Sequence, residues 1–308
     1  MPHAWELPGR AMSDGRHRVW CSRTVKGMCA DDFITVPKRI TFGDDRSAGA
    51  DIAWGWITTQ QWQDWDVDVV RVTDPDPRIE ALFSYDPLHE DDRVDQRVAP
   101  GSSGIAKVRH LTTAHDPRII LYTKRDSRLT VVGARGRGLL KSMRIGSTAE
   151  WLMRCPGTPL VVARASSPVY RIVVCVDGSA HAQVCVQTLC DLPWIAGREV
   201  VVLTVLDEMT GSAEAASDAA KALTSVGATT QVVVVNDEAP GAVLNAARVI
   251  VDRIDALQPD MVALGTRGMT GFTRLAIGSV AGAVVHASSC SVLLTRDQDE
   301  QSAVAVDG

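Results

Sequence analysis

The stretch GTRGMTGFTRLAIGSVAG, residues 265–282, decides the fold. An apolar run, DMVALG, leads into it, and another, VAGAVVHASSCSVLL, leads out. A glycine-bearing turn between two such runs is either a loop shaped to hold phosphate or a small-residue connection from strand to helix. Residues 133–150, GARGRGLLKSMRIGSTAE, repeat the pattern, and both stretches spell G-x2-G-x9-G-S. Gly133 and Gly265 stand 132 positions apart, as do Gly146 and Gly278, and Asp45 and Asp177. Each copy closes on an apolar run ending in arginine, TPLVVAR at Arg164 and CSVLLTR at Arg296. A period of that length is a duplicated domain, not a solenoid unit.

Outward from the second loop, YRIVVCV (170–176) and REVVVLTVL (198–206) read as strands covered on both faces. TTQVVVV, DMVALG and SVLL add three more, and helices are expected at Ala180–Cys190, Ser212–Val226, Pro240–Leu257 and Ser279–Ser288. In the third of these helices Val243, Leu244, Ala247, Ile250, Val251 and Ile254 share one face. Strands alternating with helices predict βαβ units and a parallel sheet. The first copy is more worn. Its strands are expected at 39–43, 66–72, 106–111, 129–133 and 159–163, and its helices around Ala48–Gln60, Pro117–Arg125 and Ser147–Arg154. The acidic, proline-rich DPDPRIEALFSYDPLHEDDRVDQRVAPGSSG between them reads as loop with at most one short helix. The expected organisation is a disordered or non-native extension over 1–36, with Met12 or Met28 as alternative starts, then domains at 37–164 and 168–297. ASSP (165–168) links them, and a disordered tail covers 298–308.

With 308 residues, 45% of them hydrophobic and 22% charged, the chain can bury two ordinary cores. No run suits a bilayer span and no secretory signal opens the chain, so a cytoplasmic protein without a membrane partner is expected. A net charge of −5 argues against nucleic-acid binding. The charge is uneven: from Pro168 onward 8 Lys and Arg face 16 Asp and Glu. Seven cysteines without a C-x-x-C pair read as buried free thiols in a reducing compartment. His286 and Cys290, four apart, could share a metal, but helix-end packing is the stronger reading without a second ligand pair.

Backbone N–H groups at a helix start converge on one spot, and the helix dipole favours an anion there. Ser279 and Ser147 are placed either to cap those N–H groups or to donate a hydroxyl to phosphate. The dipole supplies only about 0.3–1 kcal/mol. Micromolar affinity needs about 8, so a base and ribose would carry most of it. Neither loop contains the G-K-[ST] of a Walker A motif, and neither has the dinucleotide G-x-G-x-x-G after a first strand.

On these residues the chain resembles the universal stress protein family, in its ATP-binding branch, over about residues 38–297. Strand one of the second copy ends in VDGS, with Asp177, and strand two ends in LTVLDE, with Val205; the first copy has DDRS, with Asp45, and RVTDP, with Val72. The resemblance implies an α/β fold of two tandem flavodoxin-like domains. Each would have a five-stranded parallel sheet of order 3-2-1-4-5, with helices on both faces. It assigns nucleotide contacts to Asp177, Val205, Gly265, Gly268, Gly278, Ser279 and Val280, and to Asp45, Val72, Gly133, Gly136, Gly146, Ser147 and Thr148. In such a sheet ligands bind where the winding reverses, which brings Asp177 beside Gly265–Gly268 and Asp45 beside Gly133–Gly136.

The resemblance further implies ATP with Mg2+, a stress-response regulator, an intrachain pseudo-dimer joined through the last strands, and a homodimer of whole chains as an option. Three departures mark the first copy: Arg46 replaces the glycine after Asp45, the second helix is eroded, and the third is shorter. Its loop is the more basic, with Arg135, Arg137, Lys141 and Arg144 against Arg267 and Arg274, so it is expected to hold phosphates well and the base less well. No nucleophile and base converge on either loop; His181 is expected to face solvent on a first helical turn, and at most slow hydrolysis follows. A nucleotide-free interaction module and a phosphoryl-transfer enzyme are the competing classes. Asp177 and Asp45 have a plainer role as helix caps. Trp54, Trp56, Trp62 and Trp65 read as core or domain contact rather than a base-stacking platform.

Overall fold

The computed structural model describes residues 37–72, 89–90, 96–136, 145–154, 156–206, 212–236, 242–268 and 277–297. The expectations for 1–36 and 298–308, and for Arg137, Lys141, Arg144 and Arg274, lie outside the described residues, as does the side chain of Val72. From Lys38 onward the described residues form one compact unit.

The first half runs β1 (Arg39–Gly43), α1 (Ala48–Thr59), β2 (Trp65–Val72), β3 (His89–Glu90), β4 (Ile105–Thr113), α2 (Pro117–Thr123), β5 (Leu129–Gly133), α3 (Ser147–Arg154) and β6 (Leu160–Ala163). The second runs β7 (Arg171–Cys175), α4 (Ala180–Asp191), β8 (Glu199–Leu206), α5 (Ala213–Ser225), β9 (Thr229–Asn236), α6 (Ala242–Leu257), β10 (Met261–Gly265), α7 (Ser279–Ala287) and β11 (Ser291–Thr295). Among the described residues the region read as loop holds one short strand, β3, paired antiparallel with β4, and a single 3-10 turn at Gly101–Ser103. A two-residue strand carries too little periodicity to be legible.

All strands join one sheet in the order β3-β4-β2-β1-β5-β6-β11-β10-β7-β8-β9. With β3 set aside, each half numbered along its own chain reads 3-2-1-4-5. Pairing within each half is parallel apart from β3. The halves meet at β6 and β11, which pair antiparallel with Val161 opposite Leu293. The central strands are buried Val, Ile and Leu runs, as a sheet covered on both faces requires. The edge strand β9 is exposed along much of its length, including Val232 and Val234.

One face packs Ile40, Phe42, Val67 and Val131 against α1, and Ile172, Val174 and Val202 against α4 and α5. The other face packs Val132, Val162, Val262 and Leu294 against α3, α6 and α7, with Ala246, Ala247, Ile250 and Ile254 buried on α6. Gln60 holds the linker: its amide nitrogen donates to the Ser167 carbonyl and its amide oxygen accepts from the Val169 N–H. Trp56, Trp62 and Trp65 are core, and Trp54 packs half-buried against it. Trp56 and Trp62 are fully enclosed, and Trp194 of the second half meets both edge-on at 6.1 and 6.0 Å.

The turn after the first strand shows how the two copies diverge. Gly178 adopts φ +89°, and Arg46 takes the same left-handed region at +57°, its N–H donating to Asp44 Oδ1. In the second half Val176 stands where Asp44 does and offers no such acceptor, so Gly178→Ala is expected to cost about 1 kcal/mol in chemical denaturation.

Candidate functional site

Two strand-to-helix turns meet at the carboxyl end of each half, where β1 borders β5 and β7 borders β10. In the second half Asp177 Oδ1 accepts from the Ser179 N–H at 2.9 Å, and Ser179 caps α4 by accepting from the Ala182 N–H. The other oxygen, Oδ2, faces Gly268 so closely that a Cβ there would lie 2.6 Å from it. The first half repeats this: Asp45 Oδ1 accepts from the Ser47 N–H, Ser47 caps α1, and a Cβ at Gly136 would stand 2.5 Å from Asp45 Oδ2. The aspartates therefore shape the turn two residues ahead of the cap, and the capping groups are Ser179 and Ser47.

The first glycine of each motif has a packing reason. A Cβ at Gly265 would lie 2.7 Å from that of His181, and one at Gly133 would overlap the Gly49 carbonyl, so the first helix of each half rests directly on the loop. The third glycines turn the chain back: the N–H of Gly278 donates to the Thr266 carbonyl and that of Gly146 to the Ala134 carbonyl, each at 2.7 Å. Gly278 is itself the N-cap of α7 and offers no side-chain hydrogen bond; Ser279, one position on, is exposed. The first-turn N–H groups of α7 thus have no side-chain cap, which leaves the charge preference of a helix start available. Ser147 is exposed at the start of α3, and Thr148 and Val280 are half-buried in their first turns. Val205 is buried near the end of β8, one strand from β7 and two from β10. Val72 is the last residue of β2.

A cavity of about 1050 Å³ opens at the first-half site. Asp45, Gly133, Gly136, Gly146, Ser147 and Thr148 all line it, with Val70, Leu121 and Val132 as an apolar wall. Arg135 lines it as well and is exposed, whereas its counterpart Arg267 is 7% exposed. Asp44 also borders the cavity, a residue the sequence reading passed over. Its carboxylate accepts from Arg71 at 2.6 Å, from Arg97 through both oxygens, and from the Arg46 N–H. Burial alone would raise the Asp44 carboxyl; hydrogen bonds from Arg97, Arg71 and the Arg46 N–H outweigh it and hold the pKa at about 2. Saturated in this way, Asp44 is a structural hub and not a ligand. The available signal was Arg71, a cation at an inward strand position.

His181 reverses an expectation. It is 5% exposed: its Nδ1 accepts from the Asp297 N–H at 2.8 Å and its carbonyl accepts from the Thr295 hydroxyl. The glycine at 265 lets the first turn of α4 sink against β10, and the end of β11 closes over it. The described cysteines are unpaired. Burial pushes the Cys185 thiol up to about 12 and those of Cys190 and Cys290 to about 11, which keeps them protonated. Among the described residues no three His, Cys, Asp or Glu gather as a metal site, and no helix is long and apolar enough to cross a membrane. His286 reaches Glu150 of the other half at 3.7 Å.

Residues 169–296 match the model of the universal stress protein family. No curated protein matches the chain in sequence. Among solved structures, a universal stress protein from Archaeoglobus fulgidus DSM 4304 aligns over 84% of this chain and 98% of its own, at 14% identity and a TM-score of 0.57. A functionally unknown protein from Pseudomonas aeruginosa PAO1 aligns over 87% and 95%, at 13% identity and a TM-score of 0.55. Both likenesses extend the fold across the two halves. A universal stress protein in complex with cAMP aligns over 41% of this chain and 96% of its own, at 21% identity and a TM-score of 0.32.

Proposed function

We propose that this chain, whose second half matches the model of the universal stress protein family, is a tandem of two such domains, 37–164 and 168–297, that binds ATP as a regulator. The observation that carries this reading is the repeated geometry. In both halves a carboxylate, a glycine turn and a helix start converge at the switch point of the sheet.

The first-half cavity fits a mononucleotide in volume and in chemistry. Val70, Leu121 and Val132 offer a face for the base, Asp45 an acceptor for ribose hydroxyls, and the amides of Gly136, Ser147 and Thr148, with Arg135, a seat for phosphate. With no cluster of ligating side chains among the described residues, Mg2+ would arrive on the phosphates, with at most Asp45 or Asp177 beside it. Regulation would follow if nucleotide occupancy alters the surface around the loops, which a partner then reads.

The test is direct. Heat-denatured protein is expected to release an adenine nucleotide identifiable by mass, and calorimetric titration with ATP to report two sites. Gly136→Asp and Gly268→Asp are each expected to remove one, because any side chain there meets the facing carboxylate. No heat at millimolar ATP, together with no released nucleotide, would leave an interaction module as the better account.

A further inference from the structure

The first-half cavity is not built by the first half alone. Ala287, Ser288 and Ser289, from the end of α7 in the second half, also line it, as does Arg164 at the end of β6. Ser288 is 7% exposed and ends α7, its N–H donating to the Val284 carbonyl, yet its hydroxyl oxygen is buried without a hydrogen-bond partner among the described residues. A buried hydroxyl left unpaired is costly, and it persists where something outside the free protein satisfies it. The corresponding position of the first half, 132 residues earlier, is Pro156, so the second half's site receives no such hydroxyl.

The segment lies at the phosphate end of the cavity. His286, two residues before Ser288, reaches Glu150 in the first turn of α3, the same turn that opens with Ser147. A helix carboxyl end carries partial negative charge and would repel a phosphate. Arg164 offsets this: its guanidinium donates to the Val285 carbonyl at 2.6 Å and to the Cys290 carbonyl at 3.4 Å, while its own N–H donates to Ser291 Oγ.

On the strength of the nucleotide reading above, we propose that the first-half site is completed by the second half, with the Ser288 hydroxyl donating to the distal phosphates of a nucleoside triphosphate. With the base on the apolar wall and the first phosphate at the main chain of Gly136 and the start of α3 at Ser147, only the further phosphates extend to the seam. Ser288 thereby selects triphosphate over monophosphate, and Arg164 is a positioning residue that makes the helix end tolerable to an anion.

The experiment compares ATP and AMP by calorimetry in the full chain carrying Gly268→Asp, with and without Ser288→Ala. ATP affinity is expected to fall about 10-fold, the worth of a hydrogen bond to a charged group, with AMP affinity unchanged. Without nucleotide, the same substitution is expected to raise the melting temperature by about 2 °C, because an unpaired buried hydroxyl is removed. Equal weakening of ATP and AMP, an unchanged ATP affinity, or a lowered melting temperature would each overturn the proposal. If the Gly268→Asp protein binds neither nucleotide, the first-half nucleotide reading itself fails and takes the proposal with it, a result distinct from the other three.

Discussion

Asp44→Ala is expected to destabilise the protein by about 3–5 kcal/mol, the cost of removing one partner from a buried ion cluster. The Asp44 side chain is fully enclosed and neutralises Arg71 at 2.6 Å and Arg97 at 3.0 Å. Arg97 goes on to Asp51 of α1 at 2.7 Å, so the cluster ties the end of β1, the end of β2 and the first helix together. Truncation removes the carboxylate that the two guanidinium groups share and, among the described residues, leaves Arg97 only its contact with Asp51. Guanidinium denaturation of the variant against the natural chain measures this directly, and a loss below about 1 kcal/mol would show that water already screens the cluster.

The same group sets an acid limit. Its folded pKa of about 2 lies below the ordinary 3.8, so its contribution is complete above about pH 4 and is lost as pH falls through about 2. A shift of that size corresponds to about 2 kcal/mol. Stability profiles between pH 4 and 2 are therefore expected to be steeper for the natural chain than for Asp44→Ala.

Trp194→Ala is the second large effect, at about 3–5 kcal/mol. The indole is 3% exposed and stands edge-on to Trp56 and Trp62, and Trp62 packs in turn against Trp65. It is the second half's insertion into the first half's tryptophan cluster, so its removal opens a cavity at the join. Trp194→Phe keeps most of the ring contact and discards an indole N–H that has no partner among the described residues. It is expected to cost under about 1.5 kcal/mol. If both variants unfold alike in urea, the join does not depend on this packing.

The charged groups buried in the first half show where sequence reading stops. Asp68 sits opposite Thr41 in the β1–β2 register, where the second half pairs Val173 with Val201; Asp44 stands where the second half has Val176. A carboxylate within a strand reads as a solvent-facing break in an apolar run. Only the arrival of Arg39, Arg109 and Lys124 around Asp68, from three other elements, makes its burial tolerable. Trp194 and Ser288 were overlooked for a related reason: each acts on the half to which it does not belong.

By itself the sequence determined the doubled α/β plan, the order of elements and the two loops. These are set by local periodicity, by glycine where a Cβ would collide, and by a repeat that fixes its own register. Tertiary structure alone decided which residues share a site. Pairing β6 against β11 brings the end of α7 beside the start of α3, more than 130 positions away, and no local pattern records a contact made across that seam.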